Sequence, residues 1–216
     1  MWMLVSSIFG KKCEFCKKSG FRVCPNCLPK ITNLRKSQDD VPYFLNYQDE
    51  KNRKLIWKFK YKNELTIAKD LAPLFGDFIY EQIENDLNLQ NQNIFQNIYI
   101  VPAPITNDPT RYRLKNHMLV MANEVKKYLK TLDLEVKICD CLEKTGHKRS
   151  AMVHGKKKRV SHIEKTLNLK SGSPQNGLIF IIDDVTTTGT TLKRIEKLIR
   201  KNTKAKAFVQ SVALAH

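Results

Sequence analysis

Two pairs of cysteines near the start of the chain have the spacing of a metal site. Each pair has the form C-x-x-C and seven residues separate the pairs, which are formed by Cys13, Cys16, Cys24 and Cys27. Four thiols this close together in a reducing compartment are metal ligands more often than disulfides. The alternative, four core or free cysteines, needs two matched pairs by coincidence. Zinc prefers four such ligands in a tetrahedron, so the spacing predicts structural zinc in a segment with almost no hydrophobic core.

A run of acids and hydroxyls follows an apolar segment near the other end of the chain. Residues 178–191 read LIFIIDDVTTTGTT, so a predicted buried strand ends in Asp183 and Asp184. The ligand-binding candidates of the loop after them are Thr186, Thr187, Thr188, Gly189, Thr190 and Thr191. Glycine lets a backbone approach a phosphate closely, and the amides at a helix start favour an anion. The pattern predicts a phosphate site; the alternative is an ordinary strand–turn–helix junction with Thr191 as the helix cap.

The two carboxylates cannot bind a phosphate directly, so they should face sugar hydroxyls or a magnesium ion. Residues 178–191 resemble the phosphoribosyl pyrophosphate segment of type I phosphoribosyltransferases: an apolar strand, two acids, an aliphatic residue, a small residue and Thr-Thr-Gly-x-Thr. In that family the two acids hold the ribose hydroxyls, which makes Asp183 and Asp184 the candidate catalytic residues. The resemblance implies that the loop grips the 5′-phosphate. No general base stands out, although Asp184 is the nearest candidate.

The order of motifs along the chain is similar to that of ComF-type competence proteins. The two C-x-x-C pairs are followed by LIWKFKY at 55–61 and by Val101-Pro102-Ala103-Pro104. The resemblance implies a zinc knuckle in residues 1–40 ahead of a phosphoribosyltransferase-like domain in residues 41–216. It also implies that the turn formed by Pro102, Ala103 and Pro104 exposes amides to the pyrophosphate. The chain departs from the family at 113–117, which read RLKNH in place of Arg-Gly-Phe-Asn-Gln, and at 147–150.

Hydrophobic periodicity supplies the elements that must position these residues. It predicts strands over 41–47, 98–101, 136–142, 178–182 and 205–215. Helices are predicted over 49–84, with a break near 63–64, and over 117–132 and 190–202. Residues 143–177 are predicted to form a long loop with short ordered pieces. Strands alternating with helices predict an α/β fold, with a parallel sheet covered on both faces. Ligands of such sheets bind at the carboxyl ends of the strands.

Charge is the outstanding bulk property. The 38 Lys and Arg residues against 21 Asp and Glu residues give a net charge of +17, which attracts polyanions, either nucleic acid or phosphate-rich small molecules. The candidate nucleic-acid-binding residues are Lys156, Lys157, Lys158 and Arg159. The alternative is a solvated basic surface. Residues 57–62 alternate aromatic and cationic side chains, which on a strand would stack bases; the spacing of their neighbours favours a helix instead, with Phe59 packed inward.

Three functions fit these observations. The ComF resemblance implies a DNA-uptake accessory in natural transformation that binds phosphoribosyl pyrophosphate with magnesium and single-stranded DNA, with other DNA-uptake proteins as further partners. The alternatives are an active phosphoribosyltransferase on an unknown acceptor and a non-enzymatic sensor of phosphoribosyl pyrophosphate. No apolar run reaches the ~18 residues of a membrane span. The first residues lack the charge and cleavage site of a signal peptide, so we expect a cytoplasmic protein without membrane insertion.

Overall fold

The structure is a computed structural model that describes residues 10–62, 64–89, 97–105, 116–144, 167–170, 172–203 and 207–216. Its helices are α1 (Leu28–Ile31), α2 (Glu50–Tyr61), α3 (Thr66–Leu89), α4 (His117–Lys130) and α5 (Thr190–Asn202). Its strands are β1 (Arg35–Lys36), β2 (Pro42–Leu45), β3 (Ile98–Pro102), β4 (Lys137–Ile138), β5 (Leu142–Lys144), β6 (Leu167–Leu169), β7 (Gly177–Val185) and β8 (Ala207–Ala215). No helix within these ranges is long and apolar enough to cross a bilayer.

The main sheet has six strands in the order β1-β2-β8-β7-β3-β4. Strands β2, β8, β7, β3 and β4 pair in parallel, and β1 adds an antiparallel edge. The central strand β7 pairs with β3 on one side, with Phe180 opposite Ile100, and with β8 on the other. The predicted α/β fold with a mostly parallel sheet flanked by helices is therefore confirmed.

Two hydrophobic cores lie on opposite faces of this sheet. Phe180 and Ile182 of β7 belong to the core that holds the apolar faces of α2, α3 and α4. Ile179 and Ile181, which alternate with them, belong to the core that holds α5. A strand buried on both faces must be apolar at every position. This explains why the run before Asp183 contains no polar residue.

The segment 50–61 is helical, as its apolar spacing predicts. Asp49 caps α2 by accepting a hydrogen bond from the Asn52 amide at 2.9 Å. Phe59 is buried in the core, whereas Trp57 and Tyr61 remain 44% and 41% exposed. The alternating aromatic and cationic residues therefore lie on a helix and not on a strand. The two exposed rings are one turn apart on its outer face.

The structure corrects the prediction of one strand over 136–142, whereas β6 is a short ordered piece within 143–177, as predicted. The amide of Cys139 still donates to the carbonyl of Ile100 at 2.9 Å, but β4 ends at Ile138. Beyond Ile138 the chain pairs with residues 167–170 instead. The backbone amide of Lys170 donates to the Cys141 carbonyl at 2.7 Å, and β5 and β6 form a separate antiparallel pair. Hydrogen bonding to 167–170 therefore replaces continuation of the main sheet.

The hairpin of β1 and β2 crosses the predicted domain boundary. Arg35 lies opposite Tyr43, and the connecting turn comprises residues 37–41. An edge strand of the main sheet therefore comes from within the segment 1–40. The division into 1–40 and 41–216 stays a prediction.

Candidate functional site

Asp183 and Asp184 lie at the carboxyl end of β7, where the sequence predicts a ligand site. Asp184 is almost fully buried, with 8% of its side chain exposed, and it accepts from Lys60 of α2 at 2.9 Å. Its other carboxylate oxygen is hydrogen-bonded to Nε2 of His117, the first residue of α4. Asp183 is only partly buried and accepts from the Asp184 amide at 2.8 Å. The two neighbouring acids therefore have different surroundings.

These surroundings separate the two carboxyl groups electrostatically. Burial acts to raise the pKa of Asp184, but the charge of Lys60 and the hydrogen bond with His117 outweigh it and hold that pKa well below its usual range. Burial and the negative charge of Asp184 raise the pKa of Asp183 to about 7. Burial would lower the pKa of Lys60, but Asp184 raises it overall. Asp184 is thus a fixed anion, and Asp183 is the carboxyl that can exchange a proton near neutral pH.

Sequence reasoning missed Lys60 and His117 as members of this site. Lys60 follows the buried Phe59 on α2, so a cation beside the apolar stripe of an amphipathic helix was the available signal. His117 packs edge-on against Phe59, with 5.2 Å between ring centroids. Its Nδ1 is buried and has no hydrogen-bond partner within the described part of the chain. Only the packing of α2 and α4 on β7 shows that both residues meet Asp184.

The hydroxyl loop (residues 186–191) leads from β7 into α5. Thr186 is buried and its amide donates to the Ala215 carbonyl at 2.9 Å, whereas Thr187 is exposed. Gly189 has φ of 89° and is the residue before α5, where it offers no side chain as a cap. The Thr190 amide is directed at the Thr188 hydroxyl at 3.4 Å. The alternative of Thr191 as the cap is therefore not observed. The amides at the start of α5 are oriented as an anion site requires.

The turn at residues 37–41 packs directly against Gly189. A Cβ added there would lie 2.9 Å from Cβ of Asp39, 2.9 Å from Cγ2 of Val41 and 3.0 Å from Oγ of Ser37. The positive φ and this contact together require glycine. Asp39 also accepts a hydrogen bond from the Thr190 hydroxyl at 3.1 Å. The site thus contains a third carboxylate, which the sequence did not indicate because it lies far away along the chain.

The predicted pyrophosphate turn ends β3 beside this site. Pro102 and Ala103 are buried and Pro104 is partly exposed. Among these three residues only Ala103 carries an amide hydrogen, and it donates to the Ile182 carbonyl at 2.8 Å. The expectation that this turn exposes amides to a ligand is therefore wrong for these three residues, because the sheet uses the amide. Their placement beside β7 remains compatible with ligand contact.

The basic residue Lys144 interacts with the acids, whereas the basic candidates named from the sequence lie outside the described residues. Burial lowers the pKa of Lys144 on β5, although the charge of Asp183 partly offsets it. The Lys144 ammonium group, which belongs to the separate β5–β6 pair, therefore interacts electrostatically with Asp183. The nucleic-acid-binding candidates Lys156, Lys157, Lys158 and Arg159, and the segment 113–115, belong to the part of the chain that the structure does not describe.

The four N-terminal cysteines form a compact cluster, as their spacing predicts. The sulfur atoms of Cys13, Cys16, Cys24 and Cys27 all lie within 4.8 Å of one another. A tetrahedron with Zn–S bonds of ~2.3 Å places sulfurs roughly 3.8 Å apart, so the arrangement fits the metal. Burial raises the pKa of Cys13, but knuckle amides outweigh it and lower the pKa to about 6. Burial and the neighbouring thiols raise the pKa of Cys27 to about 12. Four thiolates need a cation to coexist here.

Polar contacts attach this knuckle (residues 13–27) to the helices behind the site. The Arg22 and Val23 amides donate to one carboxylate oxygen of Asp70 on α3, at 2.6 and 3.0 Å. Arg22 also pairs with Glu64 at 2.8 Å. Glu14 pairs with Lys58 of α2, two residues before Lys60. The knuckle and Asp184 therefore contact the same helix.

Comparison with known proteins gives matches only among solved structures, because no protein-family model and no curated protein sequence matches the chain. Hypoxanthine phosphoribosyltransferase from Staphylococcus aureus is 14% identical, with a TM-score of 0.34, over 67% of this chain and 61% of that enzyme. A mutant of the Trypanosoma cruzi enzyme, in a ternary substrates complex, is 8% identical, with a TM-score of 0.39, over 85% and 72%. The same mutant with the product IMP is 11% identical, with a TM-score of 0.38, over 85% and 68%.

The raised pKa of Asp183 predicts a pH dependence of stability. Its folded pKa of about 7 exceeds the usual 3.8, so the stability that it contributes is complete below 3.8 and is lost as pH rises through about 7. Between about pH 5 and pH 8, the free energy of unfolding should fall more in the wild type than in Asp183→Asn. Chemical denaturation across this range measures the difference. Asp133→Asn, at an exposed position, should follow the wild type. Equal pH slopes for wild type and Asp183→Asn would contradict the assignment.

Proposed function

We propose that the protein binds phosphoribosyl pyrophosphate together with magnesium at the carboxyl end of β7. One observation carries the proposal: a carboxylate pair with divided roles leads, through a hydroxyl loop, into a helix N-terminus whose N-cap residue is glycine. The amides and hydroxyls of the loop suit the 5′-phosphate. The carboxylates suit the ribose hydroxyls and the metal, which lie next to that phosphate in the ligand.

The contacts of Asp184 assign different tasks to the two acids. Lys60 and His117 already occupy both of its oxygens, so it positions its surroundings and remains ionised. Asp183 is more exposed and is the carboxylate that would meet the ribose hydroxyls and share Mg²⁺. When bound, the metal supplies positive charge for the pyrophosphate oxygens.

The alternative of an active phosphoribosyltransferase is favoured by one observation. A carboxyl with a pKa of about 7, as Asp183 has, can accept a proton from an acceptor nucleophile near neutral pH. The non-enzymatic sensor requires binding without transfer. Pyrophosphate release in the presence of candidate bases separates the two, because only transfer releases it.

Removal of both carboxylates should weaken ligand binding, in a variant whose folding is checked by thermal unfolding because Asp184→Asn takes the buried counter-ion from Lys60. Hydrogen bonds to charged groups contribute about 1.5–3 kcal/mol each, so Asp183→Asn with Asp184→Asn should weaken binding of phosphoribosyl pyrophosphate by at least about tenfold. Calorimetry with Mg²⁺ measures the affinity, and a chelator should weaken it in the wild type. The matched control is Asp133→Asn, which changes one exposed carboxyl in a turn after α4. Unchanged affinity in the double variant would exclude this site.

We further propose that the protein serves natural transformation in the cytoplasm as a DNA-uptake accessory that binds single-stranded DNA, with other DNA-uptake proteins as partners. The net charge of +17 supports this, together with an exposed patch on α2 that we call the aromatic patch: Arg53, Lys54, Trp57, Tyr61 and Lys62. The Trp57 and Tyr61 rings are 6.2 Å apart, and the Lys62 ammonium lies 5.0 Å from the Trp57 ring centre. Aromatic rings beside cations stack bases with little sequence preference.

Substitution within the aromatic patch should weaken binding of single-stranded DNA. Stacking contributes about 1–3 kcal/mol per base, so Trp57→Ala should reduce affinity by about tenfold. Fluorescence anisotropy with an unstructured oligonucleotide measures this. Tyr80→Ala removes an exposed aromatic ring that is hydrogen-bonded to Glu84, and it should have no effect.

The affinity for single-stranded DNA should also fall steeply as the salt concentration rises, and neutralising residues 156–159 should flatten that dependence. If no complex forms at low salt, the DNA proposal is wrong and the transferase alternative gains.

The knuckle should bind one structural zinc ion. Elemental analysis should give about one zinc per chain, and Cys13→Ser with Cys16→Ser should abolish it. The matched control is Cys139→Ser with Cys141→Ser, which removes two thiols outside the cluster and should leave the zinc content unchanged. Chelation should lower the melting temperature, because the folding of the knuckle depends on the metal. A metal-free protein with the same melting temperature would contradict this.

A further inference from the structure

The hydroxyl loop is already hydrogen-bonded to a carboxylate of the protein itself. Thr190 donates to Oδ2 of Asp39 at 3.1 Å, and its hydroxyl oxygen lies 2.6 Å from that of Thr188. The Thr190 amide is also directed at the Thr188 hydroxyl, at 3.4 Å. These contacts connect Asp39 to two of the residues that the proposed function assigns to phosphate binding.

Counting hydrogens fixes the direction of this chain of hydrogen bonds. A threonine hydroxyl has one hydrogen to donate, and an ionised carboxylate can only accept. Thr190 therefore gives its hydrogen to Asp39, so in the contact between the two hydroxyls Thr188 is the donor. The Thr188 hydrogen is thus directed at Thr190, and the Thr190 hydrogen at Asp39. A phosphate that uses the Thr190 hydroxyl as a donor has to take its hydrogen from Asp39.

The turn at 37–41 holds Asp39 in this position. The Ser37 amide donates to the Val41 carbonyl at 2.9 Å, and the Val41 amide donates to the Ser37 hydroxyl at 3.1 Å. The Asp39 amide donates to the Thr188 carbonyl at 3.2 Å, while its Cβ packs against Gly189. Hydrogen bonds of both the backbone and the side chain thus fix the carboxylate against the loop.

The neighbouring acid has a different environment. Asp40 is exposed and pairs with Lys36 at 2.9 Å, on the side of the turn that faces solvent. The two successive aspartates carry the same charge and lie in the same turn, but only Asp39 contacts the loop. Asp40 is therefore a matched control for any effect of net charge.

We infer that Asp39 is a positioning residue that sets the affinity of the hydroxyl loop for phosphate, by competing with phosphate for the hydroxyl hydrogen of Thr190. The inference rests on the proposed function, because Asp39 would control phosphate binding at the same loop. An incoming phosphate has to break the bond to Asp39 and to approach a second anion. Loss of the carboxylate should therefore tighten binding, whereas loss of a merely structural residue would weaken it.

Calorimetry with inorganic phosphate and with magnesium phosphoribosyl pyrophosphate tests the inference. Asp39→Ala should bind both ligands about tenfold more tightly than the wild type, because one charged hydrogen bond no longer competes. Asp39→Asn should tighten binding less, since its side-chain oxygen still accepts from Thr190 after the charge is gone. The factor should be similar for the two ligands, because both place a phosphate in the same loop. Asp40→Asn should change either affinity by less than about twofold.

The outcomes separate this inference from the proposed function. If the wild type binds phosphoribosyl pyrophosphate but neither Asp39 variant tightens it, Asp39 only packs the turn and the inference is wrong. If the variants tighten inorganic phosphate while phosphoribosyl pyrophosphate binds no better than phosphate itself, the inference stands and the proposed ligand fails. If no protein binds either ligand, both are overturned. Thermal unfolding of each variant establishes that the compared proteins are folded.

Discussion

The buried carboxylate of Asp184 is the constraint around which the site is organised. A charge taken out of water is tolerated only when it is paired and hydrogen-bonded. Lys60 and His117 meet that need from two different helices, so α2 and α4 must both pack against the end of β7. Removing Lys60 would leave the buried charge of Asp184 without its counter-ion, and removing His117 would leave one of its oxygens without this hydrogen bond. The positions of α2 and α4 beside Asp183 are therefore stabilised by the free energy required to separate Asp184 from Lys60 and His117.

Helix α2 extends this constraint to the N-terminal knuckle. Its inner face contributes Phe59 to the core, and Lys60 reaches Asp184. Lys58, one position before Phe59, reaches Glu14 of the knuckle. A metal-held knuckle would thus anchor the helix that supplies the counter-ion of the site. The outer face of the same helix presents Trp57 and Tyr61, so one element serves the core, the knuckle and an exposed surface.

The hydroxyl loop depends on a contact between distant parts of the chain. Gly189 lies immediately before α5 in a left-handed conformation, and the turn at 37–41 fills the space where a side chain would stand. The hairpin that extends the sheet edge therefore also covers the loop. This places Asp39 against Thr190, so a segment outside the predicted loop shapes its hydrogen bonding.

The sequence by itself determined the elements whose signals are local. The uninterrupted apolar run of β7 could only be a strand buried on both faces, and the helical spacing of 50–61 and 190–202 matched α2 and α5 closely. The paired C-x-x-C spacing likewise required the thiols to meet, because few residues separate them. By contrast, hydrophobic periodicity predicted β4 and β5 as one strand. The chain leaves the main sheet after β4 because β5 pairs with β6, and periodicity carries no information about that distant partner.

Only the tertiary structure decided the chemistry around the acids. Asp183 and Asp184 are adjacent and identical in type, so nothing local distinguishes them. Lys60 and His117, far away along the chain, lower the pKa of Asp184, whereas burial and the charge of Asp184 raise the pKa of Asp183. The same holds for Asp39, which lies 151 positions before Thr190. Sequence patterns report the spacing of neighbours along one element. Burial and electrostatics depend on which elements pack together, and that is settled only when the sheet and its helices assemble.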